Sequence, residues 1–218
     1  RLLAHIAGDA EMQAAFRSGA DFHTVTASRV FHVPPEEVTP EMRRRAKAVN
    51  FGIVYGISAF SLAQDIGVSV AEAKAYMERY FETYQGVRQY MTDVVAKAEQ
   101  DGYVQTLMHR RRALPELKSS NFNLREFGKR VALNMPVQGT AADIMKLAMV
   151  RVHRRLKREG LRARLLMQVH DELIVECPAS ERERVERLLT EEMEQAASLS
   201  VPLIAEAHSG KNWLAAKE

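Results

Sequence analysis

The chain changes period near residue 160, and no other feature limits its fold as much. Up to that point apolar residues recur at three- and four-residue spacings, as on amphipathic helices. Beyond it, "RARLLMQV" and "ELIVEC" are short apolar runs separated by His170 and Asp171. Two such runs around a polar pair predict a β-hairpin. A helical N-terminal part followed by a small antiparallel sheet makes an α+β fold.

Local signals place the elements. Thr39 before Pro40 predicts a helix start, and that helix runs through "EMRRRAKAVNFGIVYG". Ser69 and Glu72 have capping-box spacing ahead of "AEAKAYMERYFETY", and Gly86 predicts a break before the next helix. After Asp101-Gly102, "YVQTL" reads as a short strand or hairpin arm. A helix over "LREFGKRVALN" is expected to bend or stop at Pro136 and resume over 140–159. Ser180 with Glu183 predicts a capped helix over "ERERVERLLTEEMEQA". "VPLIAEA" reads as a final strand and "GKNWLAAKE" as a tail.

Composition narrows the class. The single cysteine, Cys177, excludes an internal disulfide framework and makes a reducing cytoplasm the default compartment. No apolar run reaches the roughly 18 to 20 residues that span a bilayer, so no membrane partner is expected. The first residues, "RLLAHIAGDAEM", lack a secretory apolar core and read as the middle of an amphipathic element. Net charge is only +3, but "RRRAK", "HRRR" and "KREGLRAR" concentrate positive charge. Such clusters on a near-neutral protein suit a polyanion tracked along one face, or simply solvated helix faces.

The helix after Pro40 carries the most chemistry. At 100° per residue, Arg43, Lys47, Phe51 and Tyr55 form a slowly winding stripe, about 18 Å long at a rise of about 1.5 Å per residue. Arg and Lys can hold phosphate oxygens, and an aromatic farther along offers a stacking face. Phosphates at one end and a base at the other is the layout of a nucleoside triphosphate along a helix. Equally, Phe51 and Tyr55 could be core. Val49, Ile53 and Val54 can supply the buried face without them.

At the hairpin, Asp171 would project from a rigid tip. A carboxylate held in this way suits Mg²⁺, which takes one or two protein carboxylates plus phosphates and water. One Asp does not make a two-ion site, and Glu172 points to the other face of an extended strand unless the turn redirects it.

Taken together these stretches resemble the A family of DNA polymerases, over nearly the whole chain. "MRRRAKAVNFGIVYG" fits the family's motif B at Arg43, Lys47, Phe51, Gly52, Tyr55 and Gly56, and "VHDE" fits motif C. "NMPVQGTAAD" looks like the segment that meets the primer–template minor groove, and "RLLAH" like the tail of motif A. The resemblance implies a right-hand polymerase fold, with residues 1–128 mainly fingers and 129–218 mainly palm. It implies template-directed DNA synthesis from dNTP by two Mg²⁺ ions. Arg43, Lys47 and His23 would bind the nucleotide's phosphates, with Lys47 also assisting catalysis. Phe51 would pack on its sugar and base; family members with Phe there tend to reject dideoxynucleotides. Tyr55 would occupy the templating site in the open state. Arg130, Asn134, Gln138 and His170 would contact primer–template DNA, and Arg110, Arg111 and Arg112 its backbone. Asp171 would hold metal, with Glu172 close by.

The departure lies at the start. Motif A's metal-binding Asp, and the Glu that excludes ribonucleotides, would lie before Arg1. Asp9 and Asp21 both fall after the motif, so neither is a substitute. The chain is therefore expected to need the remainder of the polymerase, its N-terminal palm and thumb, for activity. Two rivals stay open: a single-subunit RNA polymerase fragment, and a non-catalytic DNA-binding module derived from a polymerase.

Overall fold

Side-chain caps set where the helices begin. In the computed structural model, which describes residues 1–217, helix α4 (Pro40–Val54) starts as expected, with the Thr39 hydroxyl accepting from the Met42 amide. It follows α1 (Leu2–Ile6), α2 (Ala10–Arg17) and α3 (Phe22–Phe31), and precedes α5 (Ala59–Ile66). Helix α6 (Val70–Thr83) opens with the full Ser69–Glu72 capping box. Then come α7 (Gln85–Asp101) and the hairpin of β1 (Tyr103–Gln105) and β2 (Arg111–Ala113), paired antiparallel. The long α8 (Phe122–Arg158), the hairpin of β3 (Arg164–Val169) and β4 (Glu172–Glu176), and α9 (Arg182–Glu194) complete the order. The chain is thus mostly helical, with two small antiparallel sheets.

Four expectations need correction. The break between α6 and α7 falls at Tyr84 rather than Gly86, which lies in the first turn of α7. Gly86 is there for closeness. A Cβ on it would come 2.9 Å from the Asp9 Cα, and its amide donates to Asp9 Oδ2 at 2.9 Å. Asp9, 4% exposed, also accepts from the Met12 amide, so one carboxylate caps both α2 and α7. Secondly, of the bend or stop expected at Pro136, the stop does not occur: α8 runs through it as one helix. A proline there costs about 3 kcal/mol through its missing donor and ring clash, and the same helix buries Ala132, Ile144, Ala148 and Val152.

Thirdly, Ser180 does not cap α9. A short 3-10 turn, Ala179–Glu181, precedes that helix, and its N-cap, Glu181, makes no capping bond. The Glu181 carboxylate instead accepts from the amides of Arg162 and Ala163 at 3.0 to 3.1 Å. Finally, "VPLIAEA" forms no strand. Pro202 has no amide to give, and the Ala205 amide donates to the Glu194 side chain rather than to a neighbouring backbone.

Two compact units divide the chain, Arg1–Gly139 and the residues from Thr140 onward. In the first, α3, α4 and α6 pack on one another around Val30, Val49, Ile53, Tyr80 and Tyr84. A second cluster of Ala98, Val104, Leu114, Leu117 and Ala132 gathers under the β1–β2 hairpin. In the other unit Val152, Leu156, Val185 and Leu188 form the core, with Leu173 and Val175 of β4 packed against it. Arg155 ties that core's rim together, pairing with Glu159, Glu191 and Glu192 at 2.6 to 3.2 Å. Among the described residues no helix is long and apolar enough to cross a membrane.

Gly56 ends the α4 turn in the left-handed region, at φ +67°. A Cβ there would meet Leu133 Cδ1 at 3.1 Å and Arg130 Cγ at 3.2 Å on α8. Gly56→Ala is therefore expected to cost about 1–2 kcal/mol, read as a lower denaturant midpoint at unchanged slope.

Candidate functional site

Four of the expected residues meet on one surface of the first unit. Ala46, Val49, Asn50 and Ile53 face the core, which turns Arg43, Lys47 and Phe51 outward. Phe51 is 50% exposed and Tyr55 46%, so neither aromatic is core. The His23 ring, near the start of α3, lies 5.8 Å from the Phe51 ring, and the Lys47 ammonium lies 5.9 Å over that same ring. Cation, imidazole and aromatic face thus sit side by side.

The two cations of the stripe differ in state. Arg43 is held by both oxygens of Asp21, at 2.8 and 3.0 Å. That hydrogen-bonded guanidinium holds the Asp21 carboxyl well below the usual carboxylate range, with Thr24 assisting against some burial. Lys47 forms no ion pair with a described residue, so its charge faces solvent uncompensated. Burial pulls the His23 imidazole below its ordinary value of 6.5; Arg43 and Lys47 push the same way and Asp21 opposes them. Because the folded value is the lower one, the unfolded chain takes the proton more readily, and His23 contributes stability only above that range. Acidifying from pH 7 to about 5.5 is expected to lower the melting temperature more for the parent chain than for His23→Gln, by thermal denaturation.

Past the stripe, a cleft of about 1060 Å³ opens beside α4, lined by Phe51, Tyr55, Gly56, Phe81, Arg88 and Arg130 among others. The Tyr55 hydroxyl accepts from Gln138 Nε2 at 3.2 Å, which brings two expected site residues together. Asn134, a turn earlier on α8, has a buried Oδ1 with no hydrogen-bond partner among the described residues. Arg110, Arg111 and Arg112 are exposed at the β1–β2 hairpin, and the Arg111 guanidinium lies 4.5 Å over the Tyr103 ring.

His170, Asp171 and Glu172 belong to the second unit. Val169 pairs with Glu172, leaving His170 and Asp171 as a two-residue loop. His170 takes φ +52°, a left-handed conformation worth roughly 1–2 kcal/mol against a residue with a Cβ. Gln168 Nε2 steadies the loop by donating to the His170 carbonyl at 2.7 Å. Asp171 is exposed at the tip, while Glu172 Oε1 lies 3.2 Å from Lys217 Nζ. Among the described residues no group of three or more His, Cys, Asp or Glu side chains comes together to hold a metal ion. Asp171 fits as one oxygen donor, and a two-ion centre needs a second carboxylate beside it.

Sequence reasoning missed Asp21, Asn50 and Lys217. Only Asn50 left a trace, as a polar residue in phase with the buried face of α4.

The family model for "DNA polymerase family A" matches residues 1–215. DNA polymerase I of Bacillus caldotenax is 56% identical over 217 residues, covering all of this chain and 25% of that protein. That of Bacillus subtilis (strain 168) is 55% identical with the same coverage. Among solved structures, the POL domain of Pol1 from M. smegmatis, described as a complex with DNA primer-template and dNTP, superposes with a TM-score of 0.94 at 49% identity. The match covers all of this chain and 38% of that one. The chain spans about a quarter of the length of the curated relatives it matches. With its stripe, its His-Asp hairpin and the family match over residues 1–215, this chain belongs to DNA polymerase family A.

Proposed function

We propose that the chain is the fingers and C-terminal palm portion of a DNA-directed DNA polymerase, adding dNTP to a primer 3′-hydroxyl. The observation that carries this reading is the exposed stripe of α4, where Arg43, Lys47 and Phe51 converge with His23. In this reading residues 1–128 are mainly fingers and 129–218 mainly palm.

In this reading the primer hydroxyl attacks the α-phosphate in line, and pyrophosphate leaves. Lys47 offsets negative charge growing on the leaving phosphates, and Arg43 and His23 hold them. For Arg43 this means exchanging the Asp21 carboxylate for phosphate oxygens. Phe51 packs on sugar and base, and with no hydroxyl of its own it favours nucleotides that carry a 3′-hydroxyl. Tyr55 stands in the templating position until a correct pair displaces it, an induced-fit step that breaks its bond to Gln138. Arg130, Asn134, Gln138 and His170 touch the primer–template near the reacting end, and Arg110, Arg111 and Arg112 its phosphates, a sequence-independent grip that weakens with salt. Bound Mg²⁺ supplies charge stabilisation at the attacking and leaving oxygens. Asp171 would hold it together with a carboxylate from the family's motif A, and Glu172 would stand by.

Primer extension by the complete polymerase, with dNTP and with rNTP, tests the assignment. Templated extension with a strong preference for dNTP is the expected result. Equal or better use of rNTP would favour an RNA polymerase. DNA binding without extension would favour a non-catalytic module. The 218 residues alone are expected to give no robust extension.

A further inference from the structure

One buried polar residue on α4 has no role in the scheme above. Asn50 is 6% exposed and shares a face with Ala46, Val49 and Ile53. Asparagine is a mediocre helix former, and its amide is costly to bury without partners. Here every link is made. The Thr26 hydroxyl, fully buried, donates to Asn50 Oδ1 at 3.3 Å, and Asn50 Nδ2 lies 3.0 Å from His23 Nδ1. Behind Thr26, the Tyr84 hydroxyl lies 3.2 Å from Thr26 Oγ1.

With Asn50 Oδ1 toward Thr26 and Nδ2 toward His23, the donor inventory sets the direction of this chain. Thr26 has one proton and gives it to Asn50, so Tyr84 must donate to Thr26. An amide nitrogen can only donate, so His23 Nδ1 must accept and carries no proton. A neutral ring in this setting is protonated on Nε2. We propose that Asn50 is a positioning residue that fixes His23 as the neutral Nε2–H tautomer, so that the ring offers an N–H donor rather than a lone pair to the phosphates of a nucleoside triphosphate. The tautomer follows from the orientation of the Asn50 amide, Oδ1 toward Thr26 and Nδ2 toward His23; the phosphate half rests on the nucleotide-binding reading of His23.

The surroundings agree. Asp21, ahead of α3, faces the ring and favours a charged imidazolium, whereas Arg43 and Lys47 of α4 disfavour it. The rings of Phe22 and Phe51 lie 6.2 and 5.8 Å away and contribute no charge. Protonating Nδ1 would also break the bond from Asn50, with no acceptor on that amide nitrogen to replace it.

Histidine-selective ¹⁵N labelling of the polymerase tests the tautomer, with His23 assigned by the signal lost in His23→Gln. The expected spectrum shows an unprotonated Nδ1 and a protonated Nε2; a proton on Nδ1 overturns the proposal. Asn50→Asp places a carboxylate against Nδ1, and the His23 titration midpoint is expected to rise by about one unit or more. An unmoved midpoint would also overturn it.

The functional arm is a double-mutant cycle on the KM for dNTP. Asn50→Leu, similar in volume, is expected to raise KM about tenfold, and to add little once His23→Gln is present. Additive losses would mean that Asn50 acts only as a structural residue, which overturns the positioning role. An Nε2–H tautomer with KM unchanged in both single variants would leave the tautomer standing and overturn the phosphate role of His23 instead.

Discussion

Replacing Asp171 by alanine in the complete polymerase is expected to abolish primer extension while leaving primer–template binding intact. Stabilisation of transition-state charge by a bound metal ion amounts to several kcal/mol, so losing its ligand should lower kcat by about 10³-fold or more. The fold should tolerate the change. Asp171 is exposed on a two-residue loop and takes no part in the core of Val152, Leu156, Val185 and Leu188, so the melting temperature should hardly move. Binding should persist because the proposed DNA contacts, Arg110, Arg111, Arg112, Arg130, Asn134, Gln138 and His170, are all left in place, and removing a negative charge near phosphates does not weaken them. Fluorescence anisotropy on a labelled primer–template, beside single-turnover extension, reads both quantities. Lost binding with normal turnover per bound complex would contradict the metal-ligand role.

The second large effect is expected at Lys47. Arg43 is already neutralised by Asp21, whereas Lys47 meets no acid among the described residues and carries the stripe's uncompensated charge. A preorganised cation aimed at developing charge contributes about 10²–10³ in rate, so Lys47→Ala should lower kcat/KM for dNTP by that factor. The Lys47 charge also helps to keep His23 neutral, so its removal should raise the imidazole's titration midpoint. Pre-steady-state nucleotide incorporation checks the first effect and ¹⁵N titration the second. An unchanged kcat/KM would remove Lys47 from the phosphate site.

What was legible in the sequence was local or periodic. Thr39–Pro40 and the Ser69–Glu72 box formed because their partners lie within one turn, and nothing distant competes for them. The outward stripe of α4 followed from its apolar phase. Ser180 failed as a cap for a tertiary reason: the Arg162 and Ala163 amides claim Glu181, and the helix starts beyond it. "VPLIAEA" has a strand's composition, but among the described residues it pairs with no strand; Pro202 lacks an amide and the Ala205 amide goes to Glu194. The break expected at Gly86 falls at Tyr84 instead, and the closeness that Gly86 does serve, to Asp9, spans 77 residues of sequence and leaves no local signal. Asp21 as the partner of Arg43 was equally invisible, because 22 residues separate a helix cap from a helix face and no periodicity links them.

The left-handed backbone at His170 sets two demands on one position against each other. Glycine would sit at that φ without a steric penalty, so the hairpin on its own would be firmer with His170→Gly. The imidazole assigned to the primer end would then be gone. A library screened only for heat resistance would then favour glycine there, and, if His170 meets the primer end, would lose activity unnoticed. A screen for synthesis would keep histidine at the cost of a slightly weaker hairpin. If His170 meets the primer end, stability and synthesis thus select different residues at one backbone position.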